Sequence, residues 1–396
     1  MKPVYNRICA KIDMDALEHN LSVIESRIPA GVRLLAVVKA DAYGHGAEKI
    51  SGYIRDRVDM FGVAGVDEAL ELRAPRKKDN IVIQEGIGEK PVLVLGYTPP
   101  EFFKDAVLND ITLTIYREED SRLLSEIAGK EGRTAKIHIA VDTGMSRIGL
   151  PADDEGIKIA VKIASLDNVF VEGVFSHYAT ADEKDKTTAL KQKALFDEFV
   201  LKLKEKGVEP PIIHISNSAG IMEFPVTCNM VRAGIVLYGH YPSFDVGIDA
   251  FPIKPVMSVV AHVTNVFDLK KGRGVSYGHT FIAEKDMRVA VFSAGYADGY
   301  PRALSNKGCV LINGKRCRIL GRVCMDQTMV DVTGLSDVKV GDEAVLFGSS
   351  RGEYLSAEEV SGIAGSFNYE ILCGVGRRVT RAYYIDDKCA EVVSYL

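Results

Sequence analysis

The sequence predicts an α/β protein, an N-terminal (β/α)8 TIM-type barrel followed by a mostly β C-terminal domain. Three observations carry this. At 396 residues the chain exceeds one ordinary domain, and a barrel of roughly 250 residues leaves room for a second. Up to Tyr238, short apolar runs alternate with amphipathic stretches, the texture of repeated βα units and a parallel sheet. Beyond a loop rich in Gly and Pro at 239–255, the runs alternate in twos and are parted by glycine-rich turns, the texture of antiparallel strands.

Taken in order, eight segments of the first part read as strands: LLAVVKA, MFGVAG, VLVLG, ITLTI, KIHIAVD, VFVEGVFS, IIHIS and NMVRAGIVLYG. Helical patterns lie between them at 67–73, 118–128, 156–164 and 185–206. The segment IVIQ, inside 74–91, reads either as a ninth strand or as an excursion before VLVLG. In the second part VMSVVAHVTNVFDL, RVAVFSAG, CVLINGKRCRIL and EAVLFG read as strands, with one clear helical pattern at 356–364. The opening VYNRICAKID also alternates as a strand. The expected division is therefore 1–12 as a strand joining the C-terminal domain, 13–245 as the barrel and 246–396 as the mostly β domain.

Composition narrows the function. Hydrophobic residues at 47% and charged residues at 26% are the balance of a globular chain with a sizeable core. A net charge of -5 without a basic block argues against a nucleic-acid partner. The chain has no apolar run of about 18 residues and no signal-like N-terminus, so a cytoplasmic protein without a membrane partner is expected. Its seven cysteines include no C-x-x-C pair, so neither a disulfide framework nor a metal ribbon is expected.

A barrel gathers its functional side chains at the C-terminal ends of its strands. The polar residues there are Lys39 and Tyr43 after the first strand, Arg147 after the fifth and His177 after the sixth. Asn217 and Ser218 follow the seventh, and Arg232, Gly234 and Ile235 the eighth. Lys39 ends a buried apolar run, a position where burial can lower an amine's pKa and make it a nucleophile. A phosphate suits the turn formed by Ser218, the amides near Gly234 and Ile235, and Tyr43. Any one of these residues alone is more simply a core histidine or a surface charge. The full set on successive strand ends points to a site.

VVKADAYGHG, DTGMSRIG, SHYATAD, HISNSAG, NMVRAGIVLYG, VSYGHTF, AGYADGYPR, GRVCMDQTMVDV and NYEILCGVGRRV together resemble alanine racemase, a bacterial family that uses pyridoxal 5'-phosphate. The match runs in order through almost the whole chain. By this resemblance Lys39 would carry the cofactor and act as one catalytic base, and Tyr277 would be the second, reaching the site from the other subunit of a homodimer. Tyr43, Ser218, Gly234, Ile235 and Tyr369 would hold the phosphate, His177 would lie beside the pyridine ring, and Arg232, supported by His214, would donate to the pyridine nitrogen. Arg147 and the Met325 amide would hold the substrate carboxylate, with Asp326 in support. The implied activity is interconversion of L- and D-alanine, supplying D-alanine for peptidoglycan.

Racemisation removes a proton from one face of a carbon and returns one to the other, which requires two bases on opposite sides. Arginine at the pyridine nitrogen fits, because a guanidinium with pKa above about 12 keeps its proton and leaves the ring a weak electron sink. This also argues against a barrel-type decarboxylase, which would place a carboxylate there. A racemase acting on serine or on many amino acids is the alternative, as is a noncatalytic pyridoxal phosphate carrier. Tyr369 favours the small substrate by crowding its methyl group. One position departs from the family pattern. Ala140 stands where many members have a carbamylated lysine that orients the substrate-binding arginine, so a chloride, a water or another side chain must position Arg147, or that arginine is held more loosely.

Overall fold

The computed structural model describes residues 7–74 and 86–395, together with the backbone of 76–78 and 81–84. The chain divides into two compact units. One comprises Glu18–Ala42 and Ala47–Lys254; the other comprises Met1–Leu17, Tyr43–Gly46 and Pro255–Leu396.

The first unit is the barrel. Its eight parallel strands are Arg33–Val37, Met60–Val63, Val92–Val94, Thr112–Ile115, Ala135–Asp142, Val169–Phe175, Ile212–His214 and Met230–Ala233. The first seven pair in sequence order, and the eighth pairs with the first in register Arg232↔Leu35. The ladder is open only between the seventh and eighth, where Arg232 N donates to Ser216 O at 3.0 Å and Ile213 N to Asn229 Oδ1 at 2.7 Å. The sheet is thus nearly closed. Its strands are almost wholly buried because helices such as Val66–Arg73, Glu118–Lys130, Asp154–Ala164 and Thr187–Glu205 cover the outer face. The backbone of Ile81–Gln84 pairs antiparallel with Arg76–Lys78 outside the barrel sheet, so IVIQ is an excursion and not a ninth barrel strand.

The second unit is built on the long strand Met257–Leu269. Its first half pairs with Glu343–Ser350 and its second half with Met287–Phe292, so one strand serves two parts of a ten-stranded sheet. Ile8–Asp13 lies between Met257–Leu269, to which it is antiparallel, and Thr380–Ile385, to which it is parallel. Ser356 caps the helix Ala357–Ala364, its Oγ accepting from Glu359 N at 3.0 Å. A second helix, Asn368–Cys373, is present where the sequence showed no helical period, its six residues being too few to display one. Among the described residues no helix is long and apolar enough to cross a membrane.

A fully buried arginine ties this unit together. Arg381 donates from Nε to Gly44 O at 3.1 Å, from Nη2 to Val375 O at 2.6 Å and from Nη1 to Gly376 O at 2.6 Å. Gly44, at φ 79°, comes so near the helix end that an added Cβ would lie 2.3 Å from Leu372 O. The loop that follows Lys39 in sequence is therefore fastened by its backbone. Each buried carbonyl left without a donor costs about 1–3 kcal/mol, so Arg381→Met should lower the unfolding free energy by about 3 kcal/mol or more in urea titration.

Candidate active site

The chain leaves the first strand at Lys39 and enters a left-handed turn, with Ala40, Asp41, Ala42 and Tyr43 at φ 53–54°. Left-handed backbone costs roughly 1–2 kcal/mol per non-glycine residue, so the run persists only because its surroundings hold it. Asp41 Oδ1 accepts from Ala47 N at 2.9 Å, and Glu68 accepts from Ala40 N at 2.8 Å and from Ala64 N at 2.7 Å. These bonds fix where the half-buried Lys39 stands.

Arg147 is exposed in the loop after the fifth strand, whose Asp142 carboxylate accepts from Gly144 N at 2.9 Å and Ser146 N at 3.0 Å. Ala140 is buried in that strand. Nearby, Gln192 Nε2 reaches Thr143 Oγ1 at 3.4 Å and His177 O at 3.0 Å, and Thr143 bonds Ser176 at 2.7 Å. The two loops carrying Arg147 and His177 are thus joined through Gln192.

Arg232 is buried at the end of the eighth strand. Its Nη1 lies 2.7 Å from His214 Nδ1, and its Nη2 donates to Ser176 O at 2.9 Å and Ile215 O at 3.0 Å. With a ring and carbonyls as partners, burial pushes its pKa down to about 10, which leaves it charged at neutrality. His177 Nδ1 lies 3.2 Å from Arg232 Nη2, and His177 Nε2 lies 3.5 Å from Asn217 Nδ2. Burial, then the charges of Arg232, Arg147 and Lys39, hold His177 well below its ordinary pKa. Three cations therefore act on one spot at the barrel mouth.

Asn217 caps the helix Ser218–Glu223, its Oδ1 accepting from Gly220 N at 3.0 Å. Ser218 Oγ accepts from Gly234 N at 3.0 Å, which brings the turn after the seventh strand against the turn that starts Ile235–Tyr238. Ser218 and Gly234 are thus in direct contact, with Ile235 next in the chain. His214 stacks on Phe175 with centroids 4.9 Å apart, and burial, Arg232 and His138 keep it well below its ordinary pKa.

The second unit assembles the remaining residues by itself. Tyr277, Met325 and Asp326 line one cavity of about 540 Å³ with His279, Cys324 and Met329. Tyr277 follows Ser276, whose φ 63° and ψ −174° fall in a region that is nearly glycine-only, and Ser276 is held there by its Oγ bond to Arg322 O at 2.7 Å. Beneath the turn, Val275 packs with Leu269, Met287 and Leu320, while Tyr277 is 69% exposed. The Met325 loop is fastened to AGYADGYPR by Tyr296 N to Cys324 O at 3.0 Å and Ala297 N to Met325 O at 3.1 Å. Asp326 pairs with Arg378, which also reaches the buried Asp298. Tyr369 lies beside Tyr43, centroids 6.0 Å apart, and burial raises the Tyr43 phenol.

Sequence reasoning passed over Glu68, Asp142, Gln192, His138 and Glu172. For the last two there was a signal: each is a polar residue inside a strand that otherwise reads as buried.

The fold and the strand-end constellation define a two-domain barrel enzyme. Residues 12–242 match the family model described as alanine racemase, N-terminal domain, and residues 256–383 match alanine racemase, C-terminal domain. An alanine racemase from Clostridium tetani is 40% identical over 100% of this chain and 99% of its own. The structure of alanine racemase from Clostridium difficile 630 superposes with a TM-score of 0.90 at 38% identity, covering 99% of this chain and 100% of that one. A histidine racemase from Leuconostoc mesenteroides gives 0.85 at 28% identity, covering 96% of this chain and 99% of its own. The chain belongs to the alanine racemase family, a family of isomerases.

The depressed histidines have a consequence for stability. Above about pH 6.5 His138, His177 and His214 are neutral whether folded or unfolded; below it the unfolded chain binds protons that the fold refuses. Stability of the apoprotein should therefore fall as pH drops below about 6.5. In urea unfolding between pH 6.5 and 5, His214→Asn should have a shallower slope than the parent by up to one proton.

Proposed function

We propose that the chain interconverts L- and D-alanine, with pyridoxal 5'-phosphate held on the barrel unit and two copies of the chain forming a homodimer with shared sites. The observation that carries this reading is the buried Arg232 set against His214 and His177, with Asn217 joining His177 to the Ser218–Gly234 turn. Such a mouth fits an anionic phosphate, an aromatic ring and a carboxylate, and Arg232, which can only donate, fits an unprotonated pyridine nitrogen.

Ser218, Gly234, Ile235, Tyr43 and Tyr369 would hold the phosphate, with Asn217 keeping the Ser218 turn in place. Arg147 and the Met325 amide would hold the substrate carboxylate, with Asp326 steadying the Met325 loop. When bound, the cofactor supplies an electron sink that makes the α-hydrogen of alanine acidic. Lys39 removes or returns that proton on one face, and Tyr277 does so on the other. Exposure of Tyr277 on a strained turn supports its reaching into the other copy's site. Supply of D-alanine for peptidoglycan in the cytoplasm is the cellular role this reading implies.

Borohydride treatment of the holoenzyme followed by peptide mapping should place the phosphopyridoxyl mass on the Lys39 peptide; a label on another lysine overturns the assignment. In Tyr277→Phe, solvent exchange of the α-proton of D-alanine should outlast that of L-alanine, since Lys39 still works its own face. A general base contributes roughly a hundredfold to ten-thousandfold, so the asymmetry should be plain. Equal residual exchange from both enantiomers would remove the two-base assignment.

Sharing of sites is tested by mixing Lys39→Ala and Tyr277→Phe chains, each inactive alone. A mixed dimer holds one doubly damaged and one intact site, so up to about half of the parent activity per heterodimer should return. Demonstrated exchange of chains without recovery would place the whole site in one chain.

A further inference from the structure

The contact between Arg232 and His214 does not end at His214. A guanidinium only donates, so His214 Nδ1, 2.7 Å from Arg232 Nη1, must accept, and the proton of this neutral ring sits on Nε2. That nitrogen is 2.8 Å from His138 Nδ1, which must accept in turn. The proton of His138 then lies on its Nε2, which faces Glu172 Oε2 at 3.3 Å. At 3.3 Å this outer contact is at ion-pair distance and outside hydrogen-bond geometry, so the carboxylate acts on the His138 N–H through its charge. The chain of donors nevertheless has one direction, from the guanidinium at the barrel mouth to a carboxylate.

Three local features serve the outer contact. The sixth strand pairs Val171 with Ile137 and then Gly173 with His138, so Glu172 is the extra residue of a bulge. Gly173 leaves the space that the His138 ring fills, since an added Cβ would lie 2.6 Å from that ring. Thr112 Oγ1 donates to Glu172 Oε2 at 3.0 Å and steadies the carboxylate. A core needing only to be filled would take apolar residues here, because two buried rings and a partly buried carboxylate carry a desolvation cost that packing alone does not require.

We propose that Glu172 is a positioning residue for Arg232: as the terminal carboxylate it settles the proton order of His138 and His214, so that His214 always presents a lone pair to the guanidinium. Without that carboxylate the buried His138 N–H loses the negative charge it faces. Arg232 then opposes the reverse proton order alone, and that order, which turns a hydrogen of His214 against the guanidinium, gains population. The effect on catalysis rests on the reading of Arg232 given above; the proton order itself does not.

The test uses apoprotein labelled with ¹⁵N-histidine. Long-range ¹H–¹⁵N spectra of the parent should show bare Nδ1 and protonated Nε2 on both His138 and His214, assigned with His138→Gln and His214→Asn. A proton on Nδ1 of either ring overturns the proposal without reference to any cofactor, whereas failure of the Lys39 label overturns only the catalytic reading. In Glu172→Leu the signals of both rings should broaden or split between two proton orders, while Glu172→Gln, which keeps an acceptor oxygen but not the charge, should restore the parent pattern only in part. In the holoenzyme Glu172→Leu should lower kcat about tenfold, the equivalent of one buried donor left unpaired, with KM for alanine within about twofold. An unchanged proton order together with an unchanged kcat in Glu172→Leu overturns the proposal. Should that variant fail to fold, Thr112→Val, which frees the carboxylate from its anchor, should show the same broadening to a smaller degree, and an unchanged spectrum there counts equally against it.

Discussion

Arg232 is the point on which the barrel site depends. A charged guanidinium buried in a barrel interior is tolerable only when hydrogen bonds surround it, and here they come from His214, Ser176 and Ile215. Those partners sit on the ends of the sixth and seventh strands, so one side chain from the eighth strand crosses the gap where the sheet ladder is open. Burial, and then the charge of Arg232, hold both His214 and His177 well below their ordinary pKa. A change at Arg232 would disturb the charge state of the mouth and the closure of the barrel together.

Both units store backbone strain at the residues they present. The left-handed run 40–43 amounts to on the order of 4–8 kcal/mol of unfavourable backbone, and Ser276 adds a position that glycine would occupy more easily. In each case a fixed partner holds the distortion: Glu68 and Asp41 for the first, Arg322 O for the second. Strain of this kind sets the direction of Lys39 and Tyr277 more narrowly than a relaxed loop would.

The neighbourhood of Arg147 shows how a family pattern can be altered. With Ala140 buried and uncharged, no lysine carbamate can form at that position, and the loop is held by Asp142 and, through His177 O, by Gln192. The arginine itself stays exposed. The similarity to a histidine racemase at 28% identity shows that this architecture is also found in a protein named for a larger substrate.

The sequence by itself determined the two architectures, the order of the barrel strands and the residues at their C-terminal ends, because buried parallel strands read as unbroken apolar runs and a polar residue closing such a run is conspicuous. Family motifs marked Tyr277 and Met325. Local pattern did not reveal the six-residue helix at Asn368 or the pairing of Ile81–Gln84 outside the barrel, since short segments carry too little periodicity. Only the tertiary structure decided the left-handed turn after Lys39, the clamp of Arg381 on Gly44, and the line from Arg232 to Glu172. Each depends on groups far apart in the chain meeting at hydrogen-bond distance. In the last case a strand bulge also turns a carboxylate toward a ring, and no one-dimensional pattern encodes such a meeting.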